Sequence, residues 1–322
     1  MALLLAPGGT VEMACACVDE GADVIYVGPL GWSRRPYESE LSDGEIRTVV
    51  AHAGRRGAQV RVVLNTFPSP FELDRFMENV ARYAAWGVSG FIVSDPGAIA
   101  LVRRLLPETL IHVSIGSGIT NAWDTAFYRE LGADVIILPY RWGEAEVAAA
   151  RRVSDVGLEV FLFETVQTGK ICPGKCIMSS YLKFRDWLDV EGERPFHGSA
   201  NRGAKECYRV CQAQWEFRRD GGAPELVKLR RDARLMLEQL PRLVALGVDC
   251  FKLSGRERPT SMMRDLVRFY RKVLDGLRDG SATDMAAHAE ELAALRERWV
   301  SEKRKRVGTL MTRAAAYGEG VP

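Results

Sequence analysis

Four cysteines fall into two pairs of the same form. "GKICPGKC", residues 169–176, carries Cys172 and Cys176, and "NRGAKECYRVC", residues 201–211, carries Cys207 and Cys211. Each pair is C-x3-C, with 30 residues between the pairs. Thiolates are soft ligands, and four of them suit zinc or an iron–sulfur cluster. Structural zinc more often sits in C-x2-C knuckles, so the spacing leans to a cluster and leaves zinc open. The opening "MALLLAPGGT" has no basic flank and too short an apolar run for a signal peptide. The expected setting is therefore the cytosol, where thiols stay reduced and bind metal, catalyse or pack before they form disulfides. Cys15 and Cys17, in the first helical segment, and Cys250, inside a strand, read as packing residues.

Such a ligand set needs a scaffold, and one phrase recurs along the 322 residues. "GADVIYVGP" begins at Gly21, "GAQVRVVLN" at Gly57, "GVSGFIVSD" at Gly87, "GADVIILPY" at Gly132, "GLEVFLFET" at Gly157 and "GVDCFKLSG" at Gly247. A glycine, a short spacer and a β-branched or apolar run describe a helix ending in the left-handed region, then a strand buried on both faces. "ALLLAP" at Ala2 and "LIHVS" at Leu110 complete eight strands. Helical periodicity fills the gaps at Val11–Glu20, Asp43–Arg56, Phe71–Trp86, Pro96–Leu106, Ala122–Leu131, Glu144–Val156, Leu226–Leu246 and Thr260–Leu277. Eight strand–helix units predict an α/β fold, a (β/α)8 TIM-type barrel. A doubly wound sheet is the alternative, but "LAPGGTVEM" lacks its G-x-G-x-x-G loop. Residues 1–280 read as the barrel, 165–225 as a cysteine-rich metal-binding insertion after strand 7, and 281–322 as a C-terminal helical extension. Ordinary βα loops have about 2–6 residues, so an insertion of this length at the rim reads as functional.

Barrel chemistry sits at the C-terminal ends of the strands. That rim comprises Pro7, Gly8, Gly28, Asn65, Thr66, Ser94, Asp95, Ser114, Tyr140, Arg141, Glu164, Ser254 and Arg256. Glu164, Arg256 and Asn65 are the candidate catalytic residues; Ser114, Asn121, Arg141 and His197 are candidates for substrate binding. Arg256 suits bidentate contact with a carboxylate, and a buried Glu164 suits acid–base work. Rim residues of these types also serve as helix caps. His112, inside a strand, reads as a satisfied core histidine, and His52 and His288 as surface residues.

The segment "CIMSSY", then "NRGAKECYRVCQ", then "LPRLVALGVDCFKLSGR", resembles peptidase family U-32, the collagenase-like peptidases. Gly174, Cys176, Met178 and Ser179 match its G-x-C-x-[LIVM]-S segment. Asn201, Gly203, Cys207 and Cys211 match its C-x3-C pair, and Leu240 through Arg256 its closing run. The likeness runs from about Leu3 to Leu277 and takes in "HVSIGSGITNAWDTAFYRELGADVIIL". It implies a barrel-like domain and a [4Fe–4S] cluster on four cysteines. It also implies oxygen-independent hydroxylation, either of the ubiquinone ring by a two-protein pair or of a base in ribosomal or transfer RNA. Prephenate is the implied oxygen source, and other members are proteases. Departures stand beside the match. Gly169 occupies a position where many members have a cysteine, "FETV" replaces "VHGA", Leu235 stands where some members have a further cysteine, and Ser254-Gly255-Arg256 replaces E-G-R. Cys172 is therefore the ligand least supported by the resemblance.

The expected function is an iron–sulfur hydroxylase-like oxidoreductase acting on a small molecule or quinone-precursor ring. RNA base hydroxylation, collagenase-like peptidase activity and a non-catalytic partner subunit are the alternatives. Neither H-E-x-x-H nor G-x-S-x-G appears, so the peptidase reading has no motif behind it. Residues 296–313, "RERWVSEKRKRVGTLMTR", form a basic segment that could meet RNA phosphates, although the net charge is only +2. A related chain as heterodimer partner is a further expectation, and a membrane span is not, since no run approaches about 18 apolar residues.

Overall fold

The computed structural model describes residues 2–35, 37–140, 142–163, 214–228, 234–279 and 285–318. Eight parallel strands close into a barrel. They are β1 (Leu3–Gly8), β2 (Val24–Val27), β3 (Gln59–Leu64), β4 (Gly90–Val93), β5 (Leu110–Val113), β6 (Val135–Ile137), β7 (Gly157–Phe161) and β10 (Cys250–Lys252). A separate antiparallel hairpin, β8 (Gln214–Phe217) and β9 (Glu225–Lys228), lies between β7 and β10 in sequence. Around the barrel each strand pairs with its sequence neighbour, and β10 closes between β7 and β1. The expected TIM-type barrel is therefore the fold, with all eight strands where their phrases stand in the sequence.

The repeated phrase has a local physical cause. Gly21, Gly57, Gly87, Gly132 and Gly247 have φ between 71° and 106°, where an L-residue with a Cβ is strained. Gly157 differs, because it opens β7 itself. A Cβ there would lie 2.9 Å from Val135 Cγ2 and 3.0 Å from the Asp134 carbonyl, so the glycine permits close strand approach. The aspartate of the phrase also has a task. Asp23, Asp134 and Asp249 accept the backbone N–H of Leu4, Ile111 and Leu158, each from a neighbouring strand. Arg271, Arg103 and Arg151 in turn hold these carboxylates. The N-terminal end of the barrel is thereby stitched by charge-assisted bonds.

The helices start at the rim because the rim carries caps. Thr10 caps α1 (Val11–Asp19), Ser42 and Glu45 form a capping box on α2 (Asp43–Arg55), and Asp95 caps α4 (Pro96–Leu105) with proline at its first position. Asn121 and Asp124 box α5 (Ala122–Glu130). α3 (Leu73–Ala85), α6 (Glu144–Val153) and α8 (Thr260–Arg278) follow the predicted positions within a few residues. Among the described residues of the predicted helix Leu226–Leu246, Leu226–Lys228 belongs to β9 and only α7 (Leu240–Ala245) is helical. Asp220 and Gly221 adopt positive φ at the hairpin tip, so "RRDGG" makes a turn that the apolar periodicity obscured. Pro241, in the first turn of α7, marks the true helix start.

The last helix, α9 (Met285–Gly318), packs on α8. It buries Leu292 and Trp299 and also His288, which is a packed residue and not the surface residue expected. Among the described residues, no helix is long and apolar enough to cross a membrane.

Candidate active site

The C-terminal rim is organised by the loop between β2 and α2. Its two ends meet in a bridge between Pro29 and Leu41. Buried Glu40 gathers the loop: its carboxylate accepts from Gly31 N (2.8 Å), Ser33 N (3.1 Å) and Ser33 Oγ (2.8 Å). Ser33 Oγ accepts in turn from Arg256 Nη1 at 3.0 Å. The guanidinium lies against Gly28, where a Cβ would stand 1.9 Å from Nη1, so only glycine seats it. Arg256 is 6% exposed, and its Nε is buried with no hydrogen-bond partner among the described residues. Burial first, and nearby Arg35 second, lower its pKa to about 10, which keeps it a cation at neutral pH. Arg35 pairs with Glu257 at 3.2 Å, and Asn65 Oδ1 accepts from Arg34 N at 3.1 Å. Asn65 and Arg256 thus converge on two adjacent residues, Arg34 and Ser33.

Below Arg256 the barrel interior is charged, which is unusual for a layer normally filled by branched apolar side chains. Tyr26 lies 5.8 Å from the Arg256 guanidinium, donates its hydroxyl to the Leu253 carbonyl, and carries Lys252 Nζ 4.5 Å from its ring centre. Lys252 Nζ is 2.7 Å from Glu159 Oε1. The other oxygen, Oε2, meets His112 Nδ1 at 3.1 Å and Arg61 Nη1 at 3.4 Å. Burial pushes the Glu159 carboxyl up, but Lys252, His112 and Arg61 together outweigh it and hold the group ionised, below the usual carboxylate range. Burial, with the Arg61 charge, lowers His112 to about 4, so it is neutral at pH 7. His112 is a core residue as expected, yet satisfied on one side only, since Nε2 has no partner among the described residues. Cys250 and Cys17 are buried packing residues as expected; burial pushes the Cys17 thiol up to about 12, and Cys15 is half-buried.

Opposite Arg256, the ends of β3 and β4 carry two buried hydroxyls, Thr66 Oγ1 and Ser94 Oγ, with no partner among the described residues. Ser114 caps the short turn after β5 by accepting from Gly116 N, and Asn121 caps α5 from an exposed position. An aromatic wall covers the β6–β7 side. Tyr140 stacks on Phe161 at 4.1 Å, and Phe163 lies 5.4 Å from Trp299 of α9. The rim thus carries a buried cation, two buried hydroxyls and an aromatic cluster, groups whose chemistry suits a planar substrate bearing an anionic or carbonyl group. A shallow groove of about 640 Å³ between α2 and α3 lies on the outer helix layer, away from this mouth.

Of the predicted site residues, Asn65, Ser114, Asn121 and Arg256 are described; Asn65 accepts from a loop backbone N–H, and Ser114 and Asn121 accept from the backbone as caps. Arg141, Glu164, His197, Cys172, Cys176, Cys207 and Cys211 lie outside the described residues. The Arg61–His112–Glu159–Lys252 cluster escaped the sequence reading. Its signal was present: each is the third residue of its strand, a lone polar group inside a buried run.

Known proteins are similar to this chain along almost its whole length. The chain is 25% identical to tRNA hydroxylation protein P1 of Bacillus subtilis, over 99% of its own length and 71% of that protein's. It is 25% identical to tRNA hydroxylation protein P of Escherichia coli, covering 93% of this chain and 73% of that one. A 23S rRNA 5-hydroxycytidine C2501 synthase of E. coli is 26% identical over 85% of this chain but only 39% of its own length. A collagenase of Porphyromonas gingivalis is 24% identical over 99% of this chain and 79% of that one. The solved U32 peptidase Mk0906 superposes with a TM-score of 0.50 at 17% identity, covering 80% of this chain and 95% of that one, and so shares the fold. The model of peptidase family U32 matches residues 9–305, which takes in every barrel strand but the first, the cysteine segment and the Arg256 rim: the chain belongs to peptidase family U32.

Proposed function

We propose that this chain is an iron–sulfur enzyme that hydroxylates a nucleoside in transfer or ribosomal RNA at the mouth of its barrel. The observation that carries this reading is the end-to-end match to tRNA hydroxylation proteins, which spans the barrel and its rim together. The four thiolates of Cys172, Cys176, Cys207 and Cys211 fit a [4Fe–4S] cluster by donor chemistry, with zinc as the alternative. When bound, such a cluster supplies one-electron chemistry. Arg256 holds the carboxylate of a co-substrate, with prephenate as the oxygen source in this reading. Tyr140, backed by Phe161 stacked behind it, offers a platform for a planar ring, and Glu164 moves the proton. Asn65 positions the loop that carries Ser33 and does not touch substrate. A related partner chain and a cytosolic setting belong to the same proposal.

A small-molecule ring is the second reading, because a buried cation and an aromatic cluster on one rim fit a carboxylate-bearing ring as well as a base. Peptidase chemistry needs a base beside a nucleophile. His52 pairs with Asp19, His112 is sealed against Glu159, and His288 packs on Phe269, so none of these three serves the rim. The test compares nucleosides from total RNA of cells lacking the gene and cells in which it is restored. A nucleoside that gains one oxygen only on restoration supports the RNA reading. Unchanged RNA with an altered quinone pool would sink it in favour of the small molecule.

A further inference from the structure

The course of α9 carries a second conclusion, which rests on RNA being the substrate. α9 runs antiparallel to α8, as its pairings show: Glu291 meets Lys272, Arg298 meets Asp265, and Trp299 then meets Arg258 in the loop after β10. The guanidinium of Arg258 lies 3.9 Å from the Trp299 ring centre and donates to the Trp299 carbonyl. On its other side this turn of α9 is fixed to the end of β7. Phe163 packs on Trp299, and Arg296 donates to the carbonyl of Leu235, the residue bridged to Phe163. By Trp299, then, α9 has reached the C-terminal rim, between the end of β7 and the loop after β10. The helix nevertheless continues to Gly318. Nineteen further residues at 1.5 Å each carry it about 28 Å past the last rim anchor.

Charge is concentrated in that projecting part. Residues 300–318 hold Lys303, Arg304, Lys305, Arg306 and Arg313 against one carboxylate, Glu302. The whole chain is only +2, so a net +4 here leaves the remainder net −2. The Lys305–Glu302 pair is exposed on the lysine side and of the kind that contributes little.

We propose that residues 300–318 form a phosphate-binding arm that holds the RNA backbone beside the barrel mouth while the target nucleoside enters it. Arginine and lysine on such an arm fix position and carry no base readout, so the mouth selects the base and the arm supplies affinity. Of the polyanions such an arm could meet, RNA is favoured because the arm leaves the barrel at the rim where the substrate nucleoside must arrive.

The test measures binding of fluorescein-labelled bulk tRNA to the full chain by anisotropy across a series of KCl concentrations. The variant replaces Lys303, Arg304, Lys305, Arg306 and Arg313 by Gln, which keeps helix propensity, and thermal melts confirm its fold. Affinity at low salt is expected to fall at least about 100-fold, and the slope of log K against log salt to fall by about 3.5 to 4.5, at about 0.7–0.9 for each phosphate that is no longer neutralised. A milder pair, Arg306→Glu with Arg313→Glu, should show the same trend if the larger variant melts early. Replacing Arg55, Arg56 and Arg104, exposed on the outer layer, should leave the slope unchanged; an equal fall there would overturn the arm in favour of total charge. Wild-type affinity and slope in the five-site variant would overturn the arm alone. A wild-type chain that binds no tRNA would remove the RNA reading, and the arm with it.

Discussion

Two buried charged regions sit one above the other in this barrel and are wired differently. In the lower one, Glu159 lies among Lys252, His112 and Arg61, and opposite charges touch directly. In the upper one, Arg256 reaches Glu40 only through the hydroxyl of Ser33, and its Nε faces no acceptor among the described residues. A direct ion pair spends its field on its partner and serves the scaffold. A cation tied through a neutral hydroxyl keeps most of its field, which is what an anionic ligand needs. The contrast separates a region whose loss harms the fold from one whose loss harms the chemistry.

The largest expected effect comes from Glu159→Ala. It would strand Arg61 and Lys252 as buried like charges, and removing one partner of a buried pair costs about 3–5 kcal/mol. Urea denaturation should show that loss, and a change under about 1 kcal/mol would show that water or rearrangement already screens the cluster. Next comes acid. His112 has a pKa of about 4 in the folded chain against an ordinary value near 6.5, so the unfolded chain binds more protons between these values. Stability is therefore fully present above about pH 6.5 and falls toward pH 4, by up to about 1.4 kcal/mol for each pH unit. Glu159, held below its ordinary range, adds loss in the same direction as pH falls below about 4.5. His112→Asn should flatten the upper part of this slope; an unchanged slope would place the titrating group elsewhere. The smallest effect on stability, and the sharpest on function, is expected from Arg256→Lys. Lysine keeps the charge but lacks the planar fork, so the proposed hydroxylation should fall about tenfold or more, roughly 1.4 kcal/mol in the barrier, while the melting temperature stays within a few degrees. Full activity with a large loss of stability would reverse the contrast and make Arg256 a scaffold residue.

How much of this was legible beforehand differs from residue to residue. The strand phrases were readable because a left-handed glycine and an apolar run act within a few residues of chain. "NRGAKECYRVC" and the run closing at Arg256 were readable as family motifs for the same reason. Asn121 and Ser114 were read as candidates for substrate because a helix cap and a ligand site use the same side chains. The helix expected from Leu226 was misplaced because apolar spacing fits a hairpin strand as well as a helix over so few residues.

The sequence by itself determined the eight-fold strand–helix order, the barrel class, the family, the paired cysteines and the concentration of positive charge near the C-terminus, all of which depend on types and short spacings. Only the tertiary structure decided that Glu159 would meet Arg61 98 residues away, that Arg256 would reach Ser33 223 residues away, and that α9 would leave the barrel at its C-terminal rim. Those meetings follow from barrel closure, which brings β10 between β7 and β1. Closure is a property of all eight strands at once, so no single stretch of sequence contains it.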